Sequence, residues 1–312
     1  MAGPMNTLEL VRDIEERGWT MESPAGLTGY SGRKIVNLLQ HLAQSCCGEN
    51  CYVEVGVFQG LTLLSVAAAN PVLPCFGIDN FSFGDGAGNC RKVETACDSY
   101  GLMNVHLVVE GYEEAMAQLA VLTSDRKIAL YFVDGPHDYR SQLMCLLLAR
   151  PHLAPGVVIV IDDCNYPQVR QANRDFLVTH PEYALAFQAY TPRHPNNMDA
   201  QGMAAASAGW WNGINLMVHD PDRLLIRCYP PLTEAASTFQ REDHWLHTSG
   251  VRPLARPLFA FCEALTHPHR LRNLAGTTRL LWRALHTTPR PPHRTLNTHS
   301  ENLPASDFAD PR

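Results

Sequence analysis

The sequence predicts an α/β fold built on a doubly wound, mostly parallel sheet, and three observations carry that expectation. Apolar, β-branched runs alternate with helical patterns from about residue 33 to residue 190. The runs around 51–57, 75–79, 128–134 and 157–163 are apolar at nearly every position, the pattern of strands buried on both faces. Each run reaches a glycine turn or a carboxylate at its C-terminal end, which is the ligand edge of an open α/β sheet.

Residues 1–28 hold a short helical pattern over 8–16 and then a connector containing Gly and Pro. Leu27-Thr-Gly-Tyr-Ser-Gly32 reads as a loop delivering a helix over 33–44, with Ile35, Leu38, Leu39 and Leu42 on one face. That loop either leads plainly into the helix or lies over a ligand.

The stretch Cys51-Tyr-Val-Glu-Val-Gly-Val-Phe-Gln-Gly60, continued by a helix over 61–69, organises the rest. It is strand, glycine turn, helix, with Glu54 near the strand end and free N–H groups expected at the helix N-terminus. A dinucleotide fingerprint needs three close glycines, whereas Val57, Phe58 and Gln59 fill most of this turn. The turn suits a smaller ligand lying against Gly56, with Glu54 available to a cationic amine. Asp79 ends the next strand and suits ribose hydroxyls.

Residues 80–88 are too glycine-rich for a regular element and read as a lid or part of a substrate mouth. A helix over 90–100, a strand over 105–109 ending in Glu110-Gly111, and a helix over 112–122 follow. Two strands then end in acids: 128–134 in Asp134, and 155–163 in Asp162 and Asp163. Adjacent parallel strands lie about 4.8 Å apart, so these carboxylates converge. They repel unless a cation or protons compensate them. Oxygen ligands favour Mg²⁺. The other reading is that one Asp caps a helix while another contacts substrate or cofactor with no metal. His137, three residues past Asp134, is either a loop-packing residue or the group that takes a proton near neutral pH.

A helix over 167–179 and a strand over 182–190 lead to a loop over 191–211 rich in Pro, Asn, Met and Ala. Trp210 and Trp211 at its end either stack on a substrate or pack the sheet edge. A strand over 212–219 follows, with a further one over 223–228 left open. Residues 270–286 read as a basic amphipathic helix that docks on its own chain or on a partner subunit, which leaves a homo-oligomer open, with binding to anionic membranes as the rival reading. Residues 289–312, polar and Pro-rich, read as disordered.

Composition narrows the function. The net charge of −6 divides into +5 from Arg252 onward and −11 before it, and an acidic body argues against nucleic acid as substrate. The ten cysteines form no CxxC pair, so they read as reduced structural thiols. No apolar run of about 20 residues and no leader pattern at Met1–Asn6 are present, so a cytoplasmic protein without membrane partners is expected.

Glu54-x-Gly56, Asp79, Asp134-Gly-x-His137 and Asp162-Asp163 together resemble the class I S-adenosylmethionine (SAM) methyltransferases. Among these, the methyltransferase 24 family and its kin, the metal-dependent macrolide-sugar O-methyltransferases, are the most similar. The resemblance covers roughly 29–220 and implies a methyltransferase domain over 29–230, between an N-terminal extension over 1–28 and a C-terminal extension over 231–312. It implies a Rossmann-like sheet of seven strands, one of them antiparallel. It implies SAM held by Glu54, Gly56, Gly60 and Asp79, with Glu110 near the adenine, where the family more often shows Gly-Asp-Ser. Asp134, Asp162 and Asp163 would then hold Mg²⁺, and His137 would take the proton of a hydroxyl on a small molecule of sugar or natural-product type. The alternative is an NAD- or nucleotide-binding Rossmann-like protein, or a non-catalytic one.

Overall fold

The structure, a computed structural model, describes residues 3–17, 21–46, 48–232 and 303–312, together with 258, 261–262, 265, 276–279 and 281–282. The chain divides into two compact units, one of Met1–Arg241 with Thr298–Arg312 and one of Glu242–Asn297.

The first unit is a single sheet flanked by helices. Its elements run α1 (Pro4–Arg17), α2 (Arg33–Gln44), β1 (Asn50–Val55), α3 (Leu61–Ala69), β2 (Cys75–Ile78), α4 (Gly86–Tyr100), β3 (Val105–Val108), α5 (Tyr112–Ala117), α6 (Leu119–Leu122) and β4 (Lys127–Val133). Then come α7 (Tyr139–Ala149), β5 (Leu153–Ile161), α8 (Pro167–Thr179), β6 (Tyr183–Ala189), α9 (Ala200–Ala208), β7 (Ile214–His219) and β8 (Ser306–Phe308). The strand order is β3-β2-β1-β4-β5-β7-β6-β8. Strands β1 to β5 pair in parallel, and β7 lies antiparallel between β5 and β6. The order turns back at β1, so crossovers of one hand leave α3 and α4 on one face and α7 and α8 on the other.

The central strands are apolar because both faces are covered. Ile128 to Val133 of β4 and Val157 to Ile161 of β5 are all buried. Against one face lie Leu8, Val11 and Ile14 of α1, Ile35, Leu38, Leu39 and Leu42 of α2, and Leu63, Leu64 and Val66 of α3.

Three expectations change. The sheet has eight strands, not seven: Ser306–Phe308 pairs antiparallel with β6, so the end of the Pro-rich tail is ordered. Phe308 packs at a tilt on Phe187 with centroids 4.7 Å apart, giving so short a strand its apolar anchor. Residues 191–211 are not a plain loop, because Asp199 accepts the Gly202 N–H and caps α9. Helix α4 starts inside the glycine-rich stretch, where Asp85 accepts the Gly88 N–H. No strand forms over 223–228; Leu225 makes one isolated bridge to Pro311. Trp210 packs on Phe187 and its indole donates to Glu15, so it belongs to the sheet packing. In the second unit 276–279 and 281–282 are helical; the rest of the expected helix over 270–286, with 289–302, lies outside the described residues. No helix among the described residues is long and apolar enough to cross a membrane.

Candidate active site

Strand register builds the site. Ile78, Val55, Val133 and Ile161 are register partners across β2, β1, β4 and β5. The next residue on each strand therefore falls on one row at the ligand edge: Asp79, Gly56, Asp134 and Asp162. Backbone bonds extend the ladder into this row, from Gly56 N–H to Ile78 O, Asp134 N–H to Val55 O and Asp162 N–H to Val133 O. Three acids and a glycine thus stand side by side because four buried strands end in step.

Gly56 has φ +94°, and a Cβ there would sit 2.0 Å from the Asp134 carbonyl oxygen. What lies against this glycine is the end of β4, so the residue is needed first for the close approach of two strands. Gly60, at φ +85°, precedes α3. Asp79 fastens the turn between them. Its Oδ2 accepts the N–H groups of Val57 (2.9 Å) and Phe58 (2.8 Å), and its Oδ1 accepts that of Phe81 (2.6 Å).

Glu54 departs from its expected position. It is fully buried and faces inward, accepting from the Tyr52 hydroxyl at 2.5 Å and the Thr62 hydroxyl at 2.7 Å. The Leu63 N–H also reaches it, so this carboxyl caps the first turn of α3 from beneath. Burial pushes its pKa up to about 8, against the opposing pull of the Tyr52 and Thr62 hydrogen bonds. Glu110 stands apart from the row; it is exposed and bonded to Gln118.

The acid cluster is tighter. Asp134, His137 and Asp163 each present a ligand atom within 4.8 Å of the others. His137 Nε2 lies 2.8 Å from Asp163 Oδ2, and Asn212 donates to Asp163 Oδ1 at 2.6 Å. Asp163 is turned inward by a left-handed backbone, φ 57°, which Asp tolerates better than most residues. Asp162 is not part of that trio. Its Oδ1 accepts the Asp163 N–H, while its Oδ2 is buried without a partner.

Two residues that sequence reasoning passed over complete the cluster. Tyr166 stacks on the His137 ring, centroids 5.1 Å apart and planes 14° apart, and His194 tilts against its other neighbour surface at 6.1 Å. Tyr166 was findable, being three residues past Asp163 at the start of α8; His194 sits in the long segment before β7 and carried no spacing signal.

The electrostatics are those of crowded acids. Loss of water raises the pKa of Asp134 well above the carboxylate range, and repulsion from Asp162 and Asp163 adds to it. Burial and Asp163 do the same to Asp162. For Asp163 burial also pushes upward, but the charge and hydrogen bond of His137 outweigh it and the net shift is down. For His137 burial pushes down, and Asp163 outweighs that, so the imidazole is more basic than usual. Asp134 and Asp162 both take up protons, and the second carries a buried carboxylate oxygen with no partner; with Asp163 they form a donor set that fits a divalent cation.

Residues 53–164, which hold the end of β1, all of β2 to β5 and every acid of the row, match the family model of a methyltransferase domain, methyltransferase 24. An uncharacterised protein of Acanthamoeba polyphaga mimivirus is 26% identical over 128 residues, 41% of this chain and 58% of that relative. The chain thus spans little more than half the length of the curated relative it matches. Among solved structures, the chain is similar to the O-methyltransferase TomG of Streptomyces achromogenes in complex with SAM, at 16% identity and TM-score 0.45, over 69% of this chain and 89% of that one. It is also similar to an O-methyltransferase of Bacillus cereus in complex with SAH, at 15% identity and TM-score 0.44, over 69% and 90%.

Proposed function

We propose that the protein transfers the methyl group of SAM to a hydroxyl of a small molecule, with a divalent cation, Mg²⁺ first, at the acid cluster. The observation that carries this reading is the row Asp79, Gly56, Asp134, Asp162 beside the Asp134–His137–Asp163 trio, within a methyltransferase domain.

SAM would lie along the 56–60 turn. Asp79 keeps lone pairs for ribose hydroxyls beyond the three N–H groups it already accepts. Ser31 Oγ, in the loop preceding α2, is buried without a partner and supplies a further polar atom. Glu54 acts indirectly, by holding the turn and α3 in place.

Asp134 and Asp163 would hold the cation, with Asp162 behind them. A bound cation stabilises the negative charge that develops on the acceptor oxygen. His137 takes the hydroxyl proton at Nδ1, its Nε2 being engaged by Asp163, as that oxygen forms its bond to the methyl carbon and the carbon–sulfur bond of SAM breaks. Asp163 stabilises the resulting imidazolium through the 2.8 Å contact. Tyr166, stacked on the ring, fixes its plane.

Calorimetry with SAM and with NAD, followed by labelled-SAM transfer to a panel of hydroxyl compounds, tests the proposal. SAM binding without NAD binding is expected, and His137→Ala should spare SAM affinity while lowering turnover about 10²–10⁴-fold. NAD binding in place of SAM, or parental turnover by the variant in a chemistry-limited assay, would overturn it.

A further inference from the structure

Four aromatic rings from four separate segments form a continuous row of contacts. Trp211 stacks on Tyr30 (centroids 6.1 Å, planes 23° apart), Tyr30 on Phe58 (5.3 Å, 17°), and Phe58 meets Phe83 at a tilt (5.7 Å, 59°). Trp211 precedes Asn212, which holds Asp163, and Phe58 stands two residues past Gly56, which abuts Asp134. One end of the row, Trp211, and its inner ring Phe58 are therefore tied along the chain to the acid row. Tyr30 and Phe83 remain 51% and 47% exposed. Contiguous exposed apolar surface of this kind beside a polar site marks a binding surface.

The rings are held there at a cost. Phe58 has φ 50°, in the left-handed region that a glycine occupies without strain. The chain places a bulky ring in that position, and Asp79 fastens it through the Phe58 N–H. The Tyr30 loop is pinned from two sides. Thr28 donates to Gln59, which donates to Asn89; and a Cβ at Gly32 would sit 2.1 Å from the Gly209 carbonyl. A surface fixed before the ligand arrives loses little entropy on binding.

We propose that Tyr30, Phe58 and Phe83 form the platform for the methyl acceptor, and that the acceptor presents a flat aromatic ring bearing the hydroxyl. This rests on the methyl-transfer reading above. The choice of an aromatic over a sugar follows from what the rings lack. Their polar atoms are the Tyr30 phenol and the Trp211 indole nitrogen, so several hydroxyls of a sugar laid on Phe58 and Phe83 would lose their water without a partner. A planar ring loses no polar hydration there and gains stacking.

The test uses the full chain saturated with S-adenosylhomocysteine, with 2-naphthol and methyl α-rhamnopyranoside as probes in calorimetric titrations. The naphthol should bind at least about tenfold tighter than the glycoside. Tyr30→Ala and Phe83→Ala should each weaken it by about 3- to 10-fold, the worth of one aromatic contact. Tyr30→Leu and Phe83→Leu, which keep bulk without a flat face, should weaken it likewise and guard against a folding artefact. The platform is overturned if no variant changes naphthol affinity, if the glycoside binds as tightly as the naphthol, or if the loaded protein binds no naphthol. Ring-dependent naphthol binding by a protein that takes no S-adenosylhomocysteine would leave the platform standing and sink the methyl-transfer reading instead. If the protein takes neither S-adenosylhomocysteine nor naphthol, both fall.

Discussion

Glu54→Gln gives a measurement that depends on no substrate. The carboxyl is 0% exposed, and its pKa rises from 4.5 to about 8, chiefly through burial. The folded protein therefore holds a proton that the unfolded chain releases, and stability must fall as pH rises between those two values. Each pH unit in that interval is worth about 1.4 kcal/mol, so the contribution present below pH 4.5 shrinks by roughly 4 kcal/mol between about pH 5 and pH 8. Glutamine has nearly the same shape and no proton to lose. Its amide disturbs the Tyr52 contact, a roughly constant cost of about 1 kcal/mol. Urea unfolding of both proteins at pH 5, 6.5 and 8 should thus show the parent the more stable at pH 5 and the variant the more stable at pH 8. Parallel pH curves would refute the reasoning, because they would mean that Glu54 ionises in the fold as it does in water. SAM affinity of the variant at pH 7 should stay within about threefold of the parent, since a buried, protonated carboxyl is no counter-charge for an amine. A tenfold loss would restore a direct contact.

Further outcomes follow from the acid cluster and the sheet edge. Asp134→Asn and Asp163→Asn should each weaken Mg²⁺ binding at least about tenfold by calorimetry, and Asp162→Asn should weaken it less, because Asp162 stands outside the trio. The His137 imidazole should titrate above 6.5 in the metal-free protein by NMR, and Asp163→Asn should bring it down. His137 has a raised folded pKa and Asp163 a lowered one, so the pairing stabilises the fold fully between pH 3.8 and pH 6.5 and fades outside that window, and the variant should lose most stability within it. Phe308→Ala removes the ring that packs on Phe187 and lies under Arg12, and should cost about 1–2 kcal/mol in thermal or urea unfolding for this half-buried side chain.

The sheet and its acidic edge were legible because both follow from short-range rules. Buried parallel strands are apolar throughout, so their ends stand out, and Asp79, Asp134 and Asp162 mark three of them. Glu54 was misplaced for a reason the sequence hides. A strand residue points to one face or the other, and only the partners Tyr52, two residues before, and Thr62, eight after, show that its face is closed. Asp162 and Asp163 looked equivalent, yet one left-handed peptide at Asp163 sends the two carboxylates to different neighbours. Helix α9 was lost among the Pro and Asn residues around it, although its cap, Asp199, was in plain sight. Strand β8 has three residues, and its pairing is set by β6, more than a hundred residues earlier, not by its own composition.

That last pairing changes what the residues between 232 and 303 are. The chain leaves the sheet after β7, which lies inside it, and returns at β8 on the edge beyond β6, so the stretch between is an insertion rather than an appendage. Cutting and deleting are then different operations. A single break within the insertion leaves β8 free to stay paired through its own contacts. Deleting everything after residue 230 strips an edge strand and bares the hydrogen-bonding groups of β6 to any passing chain. Shortening the insertion should be tolerated far better than ending the chain before it, since the entropy of closing a loop varies only with the logarithm of its length.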